Sequence, residues 1–176
     1  MIGFQIDVTG YQHKEGKLDM YTGHKIAPGF FAWTIPTGTT TRIGTFSRPD
    51  LLGGRSSEET LTELLNHELW KDRFDGCSEV GRYCGPVPAK PVRKPALGRV
   101  FVFGDAAGLC KPTTGGGIGP GFTHVDNSLE LISKIIRSDS LNWNATDRLA
   151  KQIIKPIMKR HNRARALRDF FLTNST

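Results

Sequence analysis

The residues best suited to chemistry lie in one stretch, RVFVFGDAAGLCKPTTGGGIGPG, at positions 99–121. Val100 to Phe103 is a short continuous apolar run, the pattern of a strand buried on both faces. Gly104 and Asp105 then fall at its end, where open α/β sheets bind ligands. Glycine lets a ligand approach the backbone closely, and an aspartate beside it accepts hydrogen bonds from sugar or polyol hydroxyls. Gly115, Gly116 and Gly117 lead into a helix-period segment whose first N–H groups favour an anionic or electron-rich partner. Neither standard nucleotide fingerprint is met: Pro120 stands where Gly115 and Gly117 would require a third glycine, and GxxxxGK[ST] does not occur. A glycine cluster alone is also a turn and a cap. The combination of Gly-Asp, a proline-containing link and three glycines at a helix start is much narrower.

Other reactive residues carry less. His24, His67 and the remaining histidines show no metal-ligand spacing, so no metal site is expected. The three cysteines, Cys77, Cys84 and Cys110, are too few and odd in number for a disulfide framework, which points to a reducing cytoplasm. Cys84 reads as a buried structural thiol. No side chain stands out as a catalytic acid or base. The net charge is +7, and Lys151, Lys155, Lys159, Arg160, Arg163, Arg165 and Arg168 face only Asp169 from position 151 onward. Such a helix is either a solvated face or a peripheral contact for anionic lipid heads. No nucleic-acid-binding motif accompanies the charge, so nucleic acid is not an expected partner.

The elements that must position these residues read as α+β. With 176 residues, 38% hydrophobic and 23% charged, the chain suits a soluble globular protein with no spanning segment or signal peptide. Phe4, Ile6 and Val8 alternate, and Leu18 with Met20, Phe31 to Ile35 and Arg42 to Phe46 continue an antiparallel sheet. Ser56 and Glu59 have capping-box spacing, ahead of a helix with Leu61, Leu64, Leu65 and Leu69 on one face. Gly85 to Pro95 carries four prolines and reads as an extended connector. Beyond it lie the apolar run, the glycine loop and a helix presenting Val125, Leu129, Ile132 and Ile136. A last helical segment, Thr146 to Phe171, is expected to kink or break at Pro156. The domains expected are 1–95, a sheet with one helix and the connector; 96–137, strand, glycine loop and helix; and 138–176, helical.

GDAAGLCKPTTGGGIG resembles the second FAD-binding motif of flavoproteins with the p-hydroxybenzoate hydroxylase type of fold, and its KPTTGGGI form resembles the geranylgeranyl reductase family. Carried over residue by residue, the resemblance implies that Asp105 meets the ribityl chain of FAD and that Ala106 approaches the pyrophosphate. It puts Pro112 against the isoalloxazine ring and Gly116, Gly117 and Ile118 at the ring edge, with Gly104 and Gly115 also among the cofactor-binding residues. APGFFAWTIP, at 27–36, resembles the family's substrate-cavity motif YxWxFP, with Phe31 for the tyrosine and Ile35 for the phenylalanine. YCGPVP, at 83–88, resembles its link between substrate and cofactor layers. Phe31, Trp33, Pro36, Gly85 and Pro86 are the substrate-wall residues so implied.

The activity implied is reduction of C=C bonds in a polyprenyl lipid by FAD, with NAD(P)H or ferredoxin as the reductant left open. FAWTIP also resembles the WxWxIP of flavin-dependent halogenases, so a halogenase or hydroxylase stays as an alternative that KPTTGGGI opposes. Family members begin with a βαβ unit carrying GxGxxG, which has no counterpart here. The expectation is a fragment, a split gene, or an N-terminal FAD-binding half supplied by another chain. A subunit inactive alone is the third reading.

Overall fold

A computed structural model describes residues 1–12, 16–97, 100–137 and 143–173. The chain divides into two compact units, Met1–Pro86 and Val87–Thr176.

In the first unit, β1 (Ile2–Thr9), β2 (Asp19–Tyr21), β3 (Ala32–Pro36), β4 (Thr41–Ser47) and β5 (Ser78–Pro86) form one sheet in the order β2-β3-β4-β1-β5. All its pairings are antiparallel. Alternation sets the register: Phe4 lies opposite Thr45 and Ile6 opposite Ile43, which puts their side chains on one face. That face is covered by α1 (Ser57–Leu65) through Leu61 and Leu64, and Tyr11, Tyr21 and Phe74 complete the core. The capping box at the start of α1 is present: Glu59 N–H donates to Ser56 Oγ at 3.1 Å, and Ser56 N–H to Glu59 Oε2 at 2.6 Å.

Three expectations for this unit are corrected. The helix stops at Leu65, and Leu69 is exposed in the turn beyond, where its N–H donates to His67 Nδ1 and His67 stacks on Trp70. The segment 78–86 is a strand that the largely polar SEVGRYC does not announce, and it absorbs Gly85 and Pro86 from the expected connector. Proline is tolerated there because β5 is an edge strand and Pro86 is its last residue. Cys84 on this edge is exposed rather than buried.

In the second unit, β6 (Ala96–Leu97) and β7 (Val100–Phe101) pair antiparallel, and α2 (Ile118–Arg137) packs with α3 (Trp143–Thr173). Two small clusters hold it. Ala96, Leu131 and Ala150 form one, and Ala107, Leu109 and Ile154 the other. α3 runs continuously past Pro156 instead of breaking there. Among the described residues no helix is long and apolar enough to cross a membrane.

A further expectation fails here. Val100 to Phe103 is not a strand buried on both faces: β7 is two residues long, and Val100 is 63% exposed. A pair of two-residue strands leaves its outer edges unpaired, and although Ala96 and Phe101 pack against Leu131 and Ala150, Leu97 and Val100 stay exposed. The buried side of α2 is His124, Ser128 and Leu131, whereas Val125, Leu129 and Ile136 are exposed. The polar pair is held internally: the Ser128 hydroxyl donates to the His124 carbonyl at 2.7 Å, and the His124 ring lies 4.8 Å from that of Phe103. The apolar stripe read from the sequence is real, but it points away from this unit's core.

Candidate functional site

The site begins with a tight 3₁₀ turn, Gly104–Ala107, after Phe103. Gly108 closes it with φ +70°, its N–H donating to the Asp105 carbonyl at 2.8 Å. A Cβ on Gly108 would collide with the carbonyl of Lys90, so a larger residue would push the turn off its support. Asp105 and Ala106 are thereby exposed, while Ala107, Leu109 and Cys110 are buried behind them. The next loop closes on itself, with Lys111 N–H to Gly116 O at 3.0 Å and Gly115 N–H to Lys111 O at 2.8 Å. α2 starts immediately after it, at Ile118.

These two loops form the walls of an open groove of about 450 Å³. Phe103, Gly104, Asp105, Gly117, Ile118, Gly121, Phe122 and Val125 line it. A Cβ on Gly117 would fall inside the van der Waals surface of Asp105 Oδ1, so the helix start and the carboxylate approach this closely only because 117 is glycine. Gly121 likewise packs on Gly104, whose Cα would lie 3.4 Å from an added Cβ. The first turn of α2 carries no acidic residue. Chemically, the groove offers an exposed carboxylate for hydroxyl donors beside the positive end of a helix. Burial pushes the Cys110 thiol up to about 12, with a hydrogen bond to Asp105 and that carboxylate's charge adding to the effect. A buried thiol raised in this way favours its neutral form.

Of the residues expected to bind a cofactor, Gly104, Asp105, Gly117 and Ile118 meet in this groove. Ala106 lies in the exposed turn, and Gly115 and Gly116 lie in the closing loop. Pro112 is buried and lines a different cavity. Two positioning residues went unnoticed in the sequence. His161 of α3 bonds through Nε2 to the Cys110 carbonyl at 2.9 Å, and Arg168 donates to the Pro112 carbonyl at 2.9 Å. Together they pin the loop from behind. Their only sequence signal was a basic helix, which does not reveal its targets.

In the first unit, the sheet face away from α1 carries the expected aromatic motif. The Phe31 and Trp33 rings are 5.9 Å apart, and Phe46 joins both, at 6.0 and 4.9 Å. Trp33 lies on Gly44 and Phe46 on Gly3, where an added Cβ would come within 2.7 Å of the Phe46 ring. Strand glycines mark such close approaches, which is the signal that could have added Phe46 to the expected set. Gly85 pairs with Gly3, which pairs with Phe46, so Gly85 shares the aromatic row across the sheet. Pro36 and Pro86 end β3 and β5. Asp7 and Arg42 follow one step along, paired at 2.8 and 3.0 Å, and the guanidinium holds the Asp7 carboxyl below its ordinary value.

No family model matches the chain. It is 34% identical over 106 residues to the digeranylgeranylglycerophospholipid reductase of Methanocaldococcus jannaschii, a match covering 57% of this chain and 25% of that protein. To the chloroplastic geranylgeranyl diphosphate reductase of Oryza sativa subsp. japonica it is 30% identical over 110 residues, 61% of this chain and 22% of the relative. These matches span about a quarter of the length of the curated relatives. In fold the chain resembles a geranylgeranyl bacteriochlorophyll reductase-like protein from Thermoplasma acidophilum, with a TM-score of 0.76 at 21% identity, over 97% of this chain and 43% of that one. The chain is thus a relative of the digeranylgeranylglycerophospholipid and geranylgeranyl reductases, the group that its glycine loop and aromatic motif resemble.

Proposed function

We propose that the chain contributes the flavin loop and the substrate sheet of an FAD-dependent reductase acting on C=C bonds of polyprenyl lipids. The observation that carries this reading is the groove in which Gly117 lets the start of α2 meet the Asp105 carboxylate. An exposed carboxylate over a glycine floor suits the ribityl hydroxyls of FAD, and the adjoining helix start suits the electron-rich edge of its ring. FAD, when bound, would supply the hydride, with NAD(P)H or ferredoxin as the external reductant, and a proton would complete the addition of two hydrogens.

The chain's own residues position and shield. Asp105 accepts hydrogen bonds at the ribityl chain, and the backbone of Ala106 approaches the pyrophosphate. Gly115, Gly116, Gly117 and Ile118 present backbone to the ring edge. Phe31, Trp33 and Phe46, seated on Gly3 and Gly44, offer a polyprenyl chain an apolar wall that excludes water. The positive face of α3 suits contact with an anionic membrane surface, where such lipids reside.

The test is reconstitution with FAD and with an N-terminal nucleotide-binding half supplied as a second chain, using a geranylgeranyl lipid as substrate. Mass spectrometry should show a gain of two hydrogens per reduced bond. Oxygen consumption with product hydroxylation or halogenation, and no saturation, would overturn the reading.

A further inference from the structure

We propose that the cavity between the 111–113 loop, the start of α2 and the middle of α3 is a second binding site, taking a phosphate group that carries an alkyl stem. The cavity has a volume of about 440 Å³, in the range of small-molecule sites. It shares no lining residue with the groove at Asp105, so the inference does not depend on the flavin reading.

Its lining divides by chemistry. Leu109 is fully buried and Ile157 half-buried, which gives an apolar inner wall. Lys111, Thr113 and Arg160 are exposed and give a polar mouth. Among the described residues no carboxylate lines the cavity. Among the described residues neither Lys111 nor Arg160 takes part in an ion pair, although other cations of this helix do, such as Lys151 with Asp147 at 2.5 Å. Two uncompensated cations and a hydroxyl at one mouth suit a phosphate, which accepts charge-assisted bonds from both. The apolar wall behind them favours a phosphate bearing hydrocarbon over the bare ion.

A third wall residue makes occupancy observable. His161 is only 6% exposed; its Nε2 is engaged with the Cys110 carbonyl, while Nδ1 is buried without a protein partner. Burial pulls the pKa of His161 below its ordinary value, the Cys110 carbonyl opposes this, and Arg165 and Arg168 add to the lowering. A phosphate in the cavity opposes those cations and makes the imidazole easier to protonate.

The test titrates the full chain with three probes: inorganic phosphate, octyl phosphate below its micelle concentration, and phosphatidylcholine vesicles with and without phosphatidic acid. Affinity is read by calorimetry for the soluble probes and by co-sedimentation for vesicles, with the His161 ring protons followed by NMR. Octyl phosphate should bind once per chain, about tenfold or more tighter than inorganic phosphate, and should raise the His161 pKa. Lys111→Gln with Arg160→Gln, both exposed positions, should weaken it about tenfold or more, whereas Lys155→Gln with Lys159→Gln, outside the cavity, should not. Vesicle binding lost in the first pair identifies a lipid head as the source, and vesicle binding kept by it identifies a soluble phosphate ester. Equal affinity for phosphate and octyl phosphate, no response of His161, or displacement of octyl phosphate by FAD would each overturn the proposal.

Discussion

In Met1–Pro86 the apolar pattern and the core coincide, whereas in Val87–Thr176 they part. Phe4, Ile6 and Val8, which alternate along β1, are buried in one core with Leu61 and Leu64 of α1, and five strands form its sheet. In the second unit the core is split into two clusters, a strand is reduced to two residues, and the most regular apolar stripe of α2 lies outside. Two leucines make the contrast concrete. Leu64 in α1 and Leu129 in α2 both sit at apolar positions of amphipathic helices; Leu64 is 0% exposed and Leu129 is 53% exposed. Periodicity identifies a face that needs a partner. It does not say whether the partner lies among the same residues.

The largest effect should therefore come from Leu64→Ala. Truncating a fully buried leucine removes its transfer energy and leaves a cavity, about 2–5 kcal/mol together. Urea denaturation followed by the fluorescence of Trp33 and Trp70, both in this unit, reads it directly. A loss below about 0.5 kcal/mol, the scale of surface changes, would mean that the first core is no better formed than the second.

Next in size is Asp105→Ala, which under the proposed reading acts on FAD retention rather than on packing. Loss of hydrogen bonds from hydroxyls to this carboxylate should cost about 1.5–3 kcal/mol, roughly ten- to a hundredfold in FAD retention by the reconstituted protein. Flavin absorbance after gel filtration measures it. Because Asp105 is exposed, the melting temperature of the flavin-free protein should hardly move.

The same contrast explains which features the sequence disclosed. The capping box, the antiparallel sheet and the helix start beside Gly117 depend on neighbours in sequence or on strict alternation, and all three were legible. β5 was not, because an edge strand exposed over most of its length has no apolar alternation to show. Phe46 was missed for a different reason: its place in the aromatic group is set by Gly3 and Gly44 on two other strands. His161 and Arg168 reach the loop across 51 and 56 residues, a distance at which composition records only charge. At Val100 the apolar run suggests a buried strand that does not form, since burial depends on surfaces that these residues do not supply.

Ser56→Ala should cost less, about 1 kcal/mol, by removing the side-chain acceptor for the Glu59 N–H. Ser56→Asp should restore most of it, because aspartate serves equally at an N-cap. Thermal melts of the three proteins decide the point, and a melt for Ser56→Ala equal to the parent's would show that α1 is held by Leu61 and Leu64 alone.

The smallest effect is the one that tests the comparison most closely. Leu129→Ala makes the same chemical change as Leu64→Ala, in a helix more than twice as long, at a position whose side chain is half in water. Little apolar surface is uncovered, no cavity forms, and alanine has the higher helix propensity, so the stability of the isolated chain should change by less than about 0.5 kcal/mol. The consequence should appear in association. Leu129 shares its exposed stripe with Ile118, Phe122, Val125 and Ile136, and a contiguous apolar face of that kind drives contact with another surface. Sedimentation velocity across a concentration series should show the parent chain self-associating and Leu129→Ala doing so less, with Phe122→Ser and Leu129→Ser combined giving a monodisperse monomer. A stability loss from Leu129→Ala as large as that from Leu64→Ala would mean that α2 buries this face after all and that the two units are built alike.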